Sequence, residues 1–195
     1  MTIKTLRFAL WGAVALVALA LVTVPVLLRP AEQTGFGHGK FSLVDQNGSA
    51  VDQTIFLGHP SALFFGYTHC PDVCPTTMAE MASWFEQLGD DGRDLQAYFV
   101  SIDPQRDTPA ILGDYVSWVS DRITGLTGQP EEIAKIAKDW GIYYAKVPLG
   151  GEDYSMDHTA SVFLLDDKGD FEGTIAYGED QATAVAKLRK LLDKS

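Results

Sequence analysis

Residues 61–75 read SALFFGYTHCPDVCP, and the order of chemistry in that stretch decides the fold. Ser61 to Tyr67 is an apolar run too short for a helix, which reads as a fully buried strand. From Thr76 to Leu88 apolar residues recur at Met78, Met81, Ala82, Phe85 and Leu88, the spacing of an amphipathic helix. Between the two lies a loop holding both cysteines of the chain, Cys70 and Cys74. Pro75 disfavours helical geometry at the residue before it and suits the first helical position, which places Cys74 at the helix cap. A thiol there faces unpaired backbone N–H groups and the positive end of the helix dipole. Both favour thiolate, the form that binds metal and attacks disulfides.

The loop is short enough for the two sulfurs to converge on one ion, or to bond at a Cα separation of ~5.5 Å. A purely structural disulfide is the weaker reading, because closing so short a loop removes little chain entropy. Thioredoxin-type oxidoreductases space their cysteines Cys-x-x-Cys. The extra residue here loosens the loop and suits a metal held by two sulfurs and a third ligand.

Working outward, Phe41 to Phe56 alternates around Asn47-Gly48, a hairpin signal. Leu95 to Ile102 is a second buried strand. Asp107-Thr108-Pro109 caps and opens a helix carrying Ile111, Leu112, Tyr115 and Val119. Ile123 to Thr127 is a short strand, and Gln129-Pro130-Glu131-Glu132 opens a helix that closes at Gly141. Tyr143 to Val147 reads as a strand leading into a Gly150-Gly151 turn. Ser161 to Leu165 and Phe171 to Tyr177 pair across Lys168-Gly169, and Gln181 to Leu192 is a closing helix. Strands alternating with helices imply a sheet that is parallel in its middle, and the terminal hairpin makes it mixed. The expected class is α/β: a thioredoxin-like mixed sheet flanked by helices, with an N-terminal hairpin.

Phe8 to Leu28 is an uncharged stretch of 21 residues between Arg7 and Arg29. About 20 apolar residues span a bilayer, so residues 1–29 read as an uncleaved transmembrane anchor. A signal peptide normally has a shorter apolar region, ~7–15 residues. Lys4 and Arg7 precede the stretch, which by the positive-inside rule leaves the remainder outside. Residues 30–40 are Gly-rich and read as a linker to a domain over 41–195. The chain of 195 residues has 26 acidic and 15 basic side chains. Removing Lys4, Arg7 and Arg29 leaves 12 basic residues beyond the anchor, a formal charge of −14. That charge excludes a nucleic-acid binder and favours basic or metal-ion partners.

Phe65-Gly66-Tyr67-Thr68-His69-Cys70-Pro71-Asp72-Val73-Cys74-Pro75 resembles the signature of the Sco/SenC family, membrane-anchored copper-binding proteins of respiratory-oxidase assembly. Ser101-Ile102-Asp103-Pro104-Gln105-Arg106-Asp107-Thr108-Pro109 and Asp157-His158-Thr159 match two further family segments in order. The resemblance implies copper, as Cu(I) or Cu(II), held by Cys70, Cys74 and His158. It also implies a redox-active Cys70–Cys74 disulfide, an upstream copper donor, and a copper-receiving subunit of a haem–copper oxidase as partner. Two thiolates and an imidazole are soft-to-borderline ligands that suit such ions. The implied site of action is the periplasmic face of a bacterial inner membrane, or the intermembrane space of a mitochondrion.

His158 falls where thioredoxins carry a cis-proline, and His158-Thr159-Ala160-Ser161 has no proline. Reduction of a partner's cysteines, which needs Cys70 and Cys74 but not His158, is the alternative function. Asp72, His69, Asp157, Asp103, Arg106 and Asp107 are candidates for supporting the ligands or contacting a partner. Asp103, Arg106 and Asp107 read first as a buried ion pair at a helix start. Met78 and Met81 read as core filling, and His38 and His59 as solvated loop positions.

Overall fold

The computed structural model describes residues 36–195, together with the helical residues 11–13, 17 and 19. The expected membrane-spanning helix, Phe8 to Leu28, otherwise lies outside the described residues. Among the described residues, no helix is long and apolar enough to cross a membrane.

The Asn47-Gly48 turn closes a hairpin of β1 (Ser42–Asp45) and β2 (Ala50–Asp52), as expected. Asp45 shapes the turn: its carboxylate accepts the N–H groups of Asn47 and Ser49, both at 2.8 Å. A single 3-10 turn (Gln53–Phe56) leads to β3 (Ser61–Gly66), where all six residues are buried. Such a continuous apolar run belongs at the centre of a sheet covered on both faces. β3 does lie there, parallel to β4 (Gln96–Ser101) and antiparallel to β8 (Val162–Leu165). Helix α1 (Val73–Leu88) connects β3 to β4 and buries Met78, Met81, Trp84, Phe85 and Leu88 along one side. Both methionines are core filling.

Helix α2 (Pro109–Val119) starts at the Thr108 cap, whose hydroxyl accepts the Ile111 N–H, and leads to β5 (Ile123–Thr127). Helix α3 (Pro130–Asp139) carries Glu131 and Glu132 in its first turn, and Gly141, at φ +58°, follows its end. The closing hairpin is β8 with β9 (Phe171–Ile175), followed by α4 (Gln181–Leu192). The main sheet runs β2-β1-β5-β4-β3-β8-β9. Parallel pairs in the middle and antiparallel pairs at both sides make the expected mixed α/β sheet.

Two local expectations change. The strand after α3 runs beyond Val147 into the expected Gly150-Gly151 turn, and the segment after the turn that carries His158 is a strand, not a loop. β6 (Tyr144–Gly150) turns at Gly151 and returns as β7 (Asp153–His158), a separate two-stranded sheet. Gly150 and Gly151 supply the positive φ angles, +112° and +63°, that the reversal requires. Second, the end of the Gly-rich segment is packed on the domain. Phe36 meets Trp140 and Phe171 at ring-centroid distances of 5.5 and 5.1 Å. The Gly37 N–H donates to the Asp139 carbonyl, and a Cβ on Gly37 would lie 2.4 Å from the Trp140 ring. His38 is paired with Asp170 at 2.8 Å, not solvated, because the segment is pinned on both sides of it. His59 is similarly engaged, with Ser61 at 3.2 Å.

Candidate metal centre

β3 delivers the chain to the centre at Gly66. A Cβ at that position would lie 2.9 Å from the Cys74 sulfur and 2.8 Å from the Phe99 ring, so only glycine lets the helix start this close to the strand. The Cys70 N–H then donates to the Tyr67 carbonyl at 3.2 Å, which folds residues 67–70 into a turn. Helix α1 begins at Val73 with Asp72 at its cap, so Cys74 is the second residue of the helix, not its cap. Pro75 remains within the first turn, where the helix makes no use of its missing N–H. Packing overrides the bias that proline imposes on Cys74: the cysteine is fully buried in the core.

The shift of register moves the acidic thiol. The Cys74 N–H at the helix start donates to the Cys70 sulfur at 3.3 Å, so Cys70 receives the stabilisation expected for Cys74. Hydrogen bonding from the Cys74 thiol, helped by His158 and the backbone at Asp72 and Cys74, holds the Cys70 thiol down to about 3 against the opposing effect of burial. That same bond, together with burial, pushes Cys74 far above the ordinary thiol range. The pair is one thiolate on Cys70, with the remaining proton kept by Cys74. Both cysteines are free.

His158 is the last residue of β7. Its Nδ1 donates to the Thr159 carbonyl at 2.9 Å, which orients the ring and turns Nε2 toward the cysteines. Nε2 is 3.4 Å from the Cys74 sulfur. The ring stands edge-on to Phe64 and Tyr67, at centroid distances of 6.1 and 6.0 Å. The two sulfurs and Nε2 all lie within 4.8 Å of one another. Metal–donor bonds of ~2.0–2.3 Å place neighbouring donors roughly 3.5–4.5 Å apart, so the three fit around one ion with little movement. A thiolate, a thiol that ionises on binding and an imidazole nitrogen form a soft-to-borderline donor set.

The remaining candidates divide into rim and support. Asp72 and Asp157 are exposed and line the mouth of a cleft of about 300 Å3, alongside Tyr67, Cys70 and His158. Asp107 is fully buried and holds the start of the loop. It accepts the Thr68 N–H at 3.1 Å and the hydroxyls of Thr68 and Ser101, each at 2.6 Å. His69 lies 3.9 Å from Asp107 and 3.0 Å from the Thr68 hydroxyl, on the support side. Asp103 is buried and ion-paired with Arg106, and Arg106 also reaches the Tyr154 carbonyl at 2.9 Å. Gly66 and Tyr154 shape the centre without standing out in the sequence: a glycine ending an apolar run looks like any strand end.

Two thiols at a strand–helix junction, facing an imidazole brought from another hairpin on a mixed sheet, define a thioredoxin-like metal-binding domain. The chain belongs to the SCO1/SenC family, whose model matches residues 29–193. It is 37% identical over 164 residues to the human mitochondrial SCO1 homolog, covering 80% of this chain and 54% of that protein. Yeast mitochondrial SCO2 is 33% identical over 155 residues, covering 78% of this chain and 52% of that protein. The chain thus spans about half the length of the curated relatives it matches. Among solved structures, copper-bound ScoI of Bradyrhizobium japonicum is 42% identical with a TM-score of 0.73, covering 78% of this chain and 98% of that one. Copper-bound yeast Sco1 is 32% identical with a TM-score of 0.76, covering 83% and 91%.

Proposed function

We propose that this chain is a copper metallochaperone, anchored by residues 1–29 and joined to the copper-binding domain over 41–195 by residues 30–40, whose end from Phe36 packs on that domain. It binds one copper ion through Cys70, Cys74 and His158 and delivers it to the binuclear copper centre of a haem–copper oxidase. The observation that carries this reading is the placement of His158 Nε2, facing both cysteine sulfurs at metal-ligand spacing. Reduction of a disulfide needs the two sulfurs but no third donor at ligand spacing from both. Copper-bound relatives, at 42% and 32% identity, support the choice of ion. Delivery proceeds by exchange of ligands, with an incoming thiolate of the acceptor replacing one sulfur at a time. Tethering raises the effective concentration of donor and acceptor on one membrane face. The acidic rim of Asp72 and Asp157 suits a partner with basic residues around its own copper ligands. The domain then lies on the periplasmic side of a bacterial inner membrane, or in the intermembrane space of a mitochondrion.

A second reading rests on the unequal cysteines. A low-pKa, half-exposed Cys70 beside a buried Cys74 is an attacking thiolate with a resolving partner, which suits reduction of the acceptor's cysteines through a mixed disulfide. Complementation separates the two. In cells lacking the chain, delivery predicts that neither Cys70→Ser nor His158→Ala restores oxidase activity. Full restoration by His158→Ala, with Cys70→Ser inactive, would establish reduction in place of delivery.

A further inference from the structure

The β6–β7 hairpin, which carries His158, lies outside the main sheet, so something other than the strand ladder must fix the imidazole. Alternation along β7 puts Tyr154, Met156 and His158 on one side of the strand and the exposed Asp157 on the other. Tyr154 is gripped at three points. Its carbonyl accepts from Arg106 Nη1 at 2.9 Å, its ring lies 3.7 Å beneath the Arg106 guanidinium, and its hydroxyl donates to Asp103 Oδ1 at 2.9 Å. Asp103 also pairs with Arg106 Nε, which closes the triangle. A neighbouring tie joins Lys146 of β6 to Gln105 at 2.7 Å. Arg106 Nη2 is buried with no hydrogen-bond partner, so this guanidinium is not placed to maximise its own bonding. Its planar fork meets a carbonyl, a carboxylate and a ring face at once, a combination a lysine cannot reproduce.

We infer that Asp103, Arg106 and Tyr154 form a clamp that positions His158. It docks the hairpin on the β4–α2 loop, so that the third ligand stands in place before metal arrives. The cysteines are fixed chiefly by the β3–α1 junction and by Asp107, which holds Thr68 and takes no part in the grip on Tyr154. The clamp therefore governs the His158-dependent part of copper affinity and leaves the sulfur-dependent part alone. This rests on the ligand set proposed above, and its test is built to separate the two.

Hydrogen exchange on the metal-free, reduced full chain in detergent is compared for wild type, Arg106→Lys and Tyr154→Phe. Exchange at the amides of residues 153–158 should quicken by about tenfold or more in Arg106→Lys and by less in Tyr154→Phe, with β3, β4 and β5 unchanged. Titration with Cu(II) should show affinity reduced by ~10–100-fold in Arg106→Lys, the range for loss of a group that orients a ligand. Cu(I) affinity should stay near wild type. In a His158→Ala background, Arg106→Lys should have no further effect on Cu(II). The clamp is overturned by unchanged hairpin exchange, or by an equal loss of Cu(II) affinity with and without His158. Wild-type Cu(II) binding by His158→Ala alone would overturn the ligand set and the clamp's hold on copper together, while the metal-free exchange data would still report on docking.

Discussion

The two halves of the centre are built in opposite ways. Cys70 and Cys74 sit where a fully buried strand runs into a helix, on backbone that the core itself defines. His158 ends a two-stranded sheet that shares no ladder with the main one and is held by polar side chains. The first half is rigid because moving it would open the core between Gly66, Phe99 and Cys74. The second is docked by side chains, with Met156 in the core and Tyr154 on Arg106, while its tip is exposed at Leu149. For the proposed delivery of copper that inequality is useful: the sulfurs would keep their geometry while the imidazole set how tightly the ion is held.

The largest effect expected from this contrast is on binding itself. Cys70→Ser or Cys74→Ser should lower Cu(I) affinity by about a thousandfold or more, because a hard hydroxyl replaces a soft thiolate. His158→Ala should lower Cu(I) affinity far less and Cu(II) affinity strongly, as competition titrations would show. Equal losses of Cu(I) affinity in all three variants would erase the distinction between the halves.

Next comes stability. Gly66→Ala forces a methyl group against the Cys74 sulfur and the Phe99 ring, and overpacking of this kind costs about 1–3 kcal/mol. Urea denaturation should show that loss. At the hairpin tip, Leu149→Ala should stay within about 0.5 kcal/mol of wild type. A Gly66→Ala chain as stable as wild type would contradict the rigid junction.

The cysteines also predict a proton count. Cys70 is already a thiolate at neutral pH, whereas Cys74 must lose its proton to bind. Cu(I) binding between about pH 7 and 8, below the ordinary thiol pKa of ~8.5, should therefore release one proton, and affinity should rise tenfold per pH unit. A hundredfold rise would mean that both thiols are protonated. The same asymmetry sets the pH dependence of the reduced, metal-free fold. A depressed Cys70 stabilises the fold fully above the ordinary thiol pKa of ~8.5, and this contribution is lost as pH falls toward about 3. Cys74, raised, contributes below that ordinary value and loses its contribution as pH rises beyond it. Guanidinium midpoints measured across acid and alkaline pH would reveal both limbs.

The smallest effect concerns the segment after the expected anchor. Phe36→Ala removes edge-on contacts to Trp140 and Phe171 and should cost about 1 kcal/mol, read as a lower thermal midpoint. An unchanged midpoint would mean that the packed end of the segment contributes nothing to the fold.

The sequence reveals the strand–helix half better than the hairpin half, for a physical reason. SALFFG can only be a central strand, and the methionine and aromatic spacing after it can only be a helix facing the core, because burial writes itself into apolar periodicity. The register of Cys74 escapes this logic. Pro75 argues for a cap at residue 74, and only the packing of the sulfur beneath Gly66 reveals that the helix starts two residues earlier. Strand β7 escapes it too. Asp153, Ser155 and Asp157 are polar and face outward, so DYSMDH carries too weak an alternation to stand against the glycines before it. His158 entered as a family position in a loop and emerges at the end of a strand. Arg106 read as part of an ion pair at a helix start; that pair is present, but its reach to Tyr154, 48 residues away, has no local signature.

The measurement that bears most directly on the account is a Cu(II) titration of the reduced full chain, followed by absorption and electron paramagnetic resonance, in wild type and His158→Ala. The account predicts one equivalent bound in wild type, with a sulfur-to-copper charge-transfer band and hyperfine coupling to a single nitrogen. In the variant the nitrogen coupling should vanish and the band should shift or disappear. Identical spectra and stoichiometry in the two proteins would contradict it, leaving a two-cysteine redox site with an idle imidazole beside it.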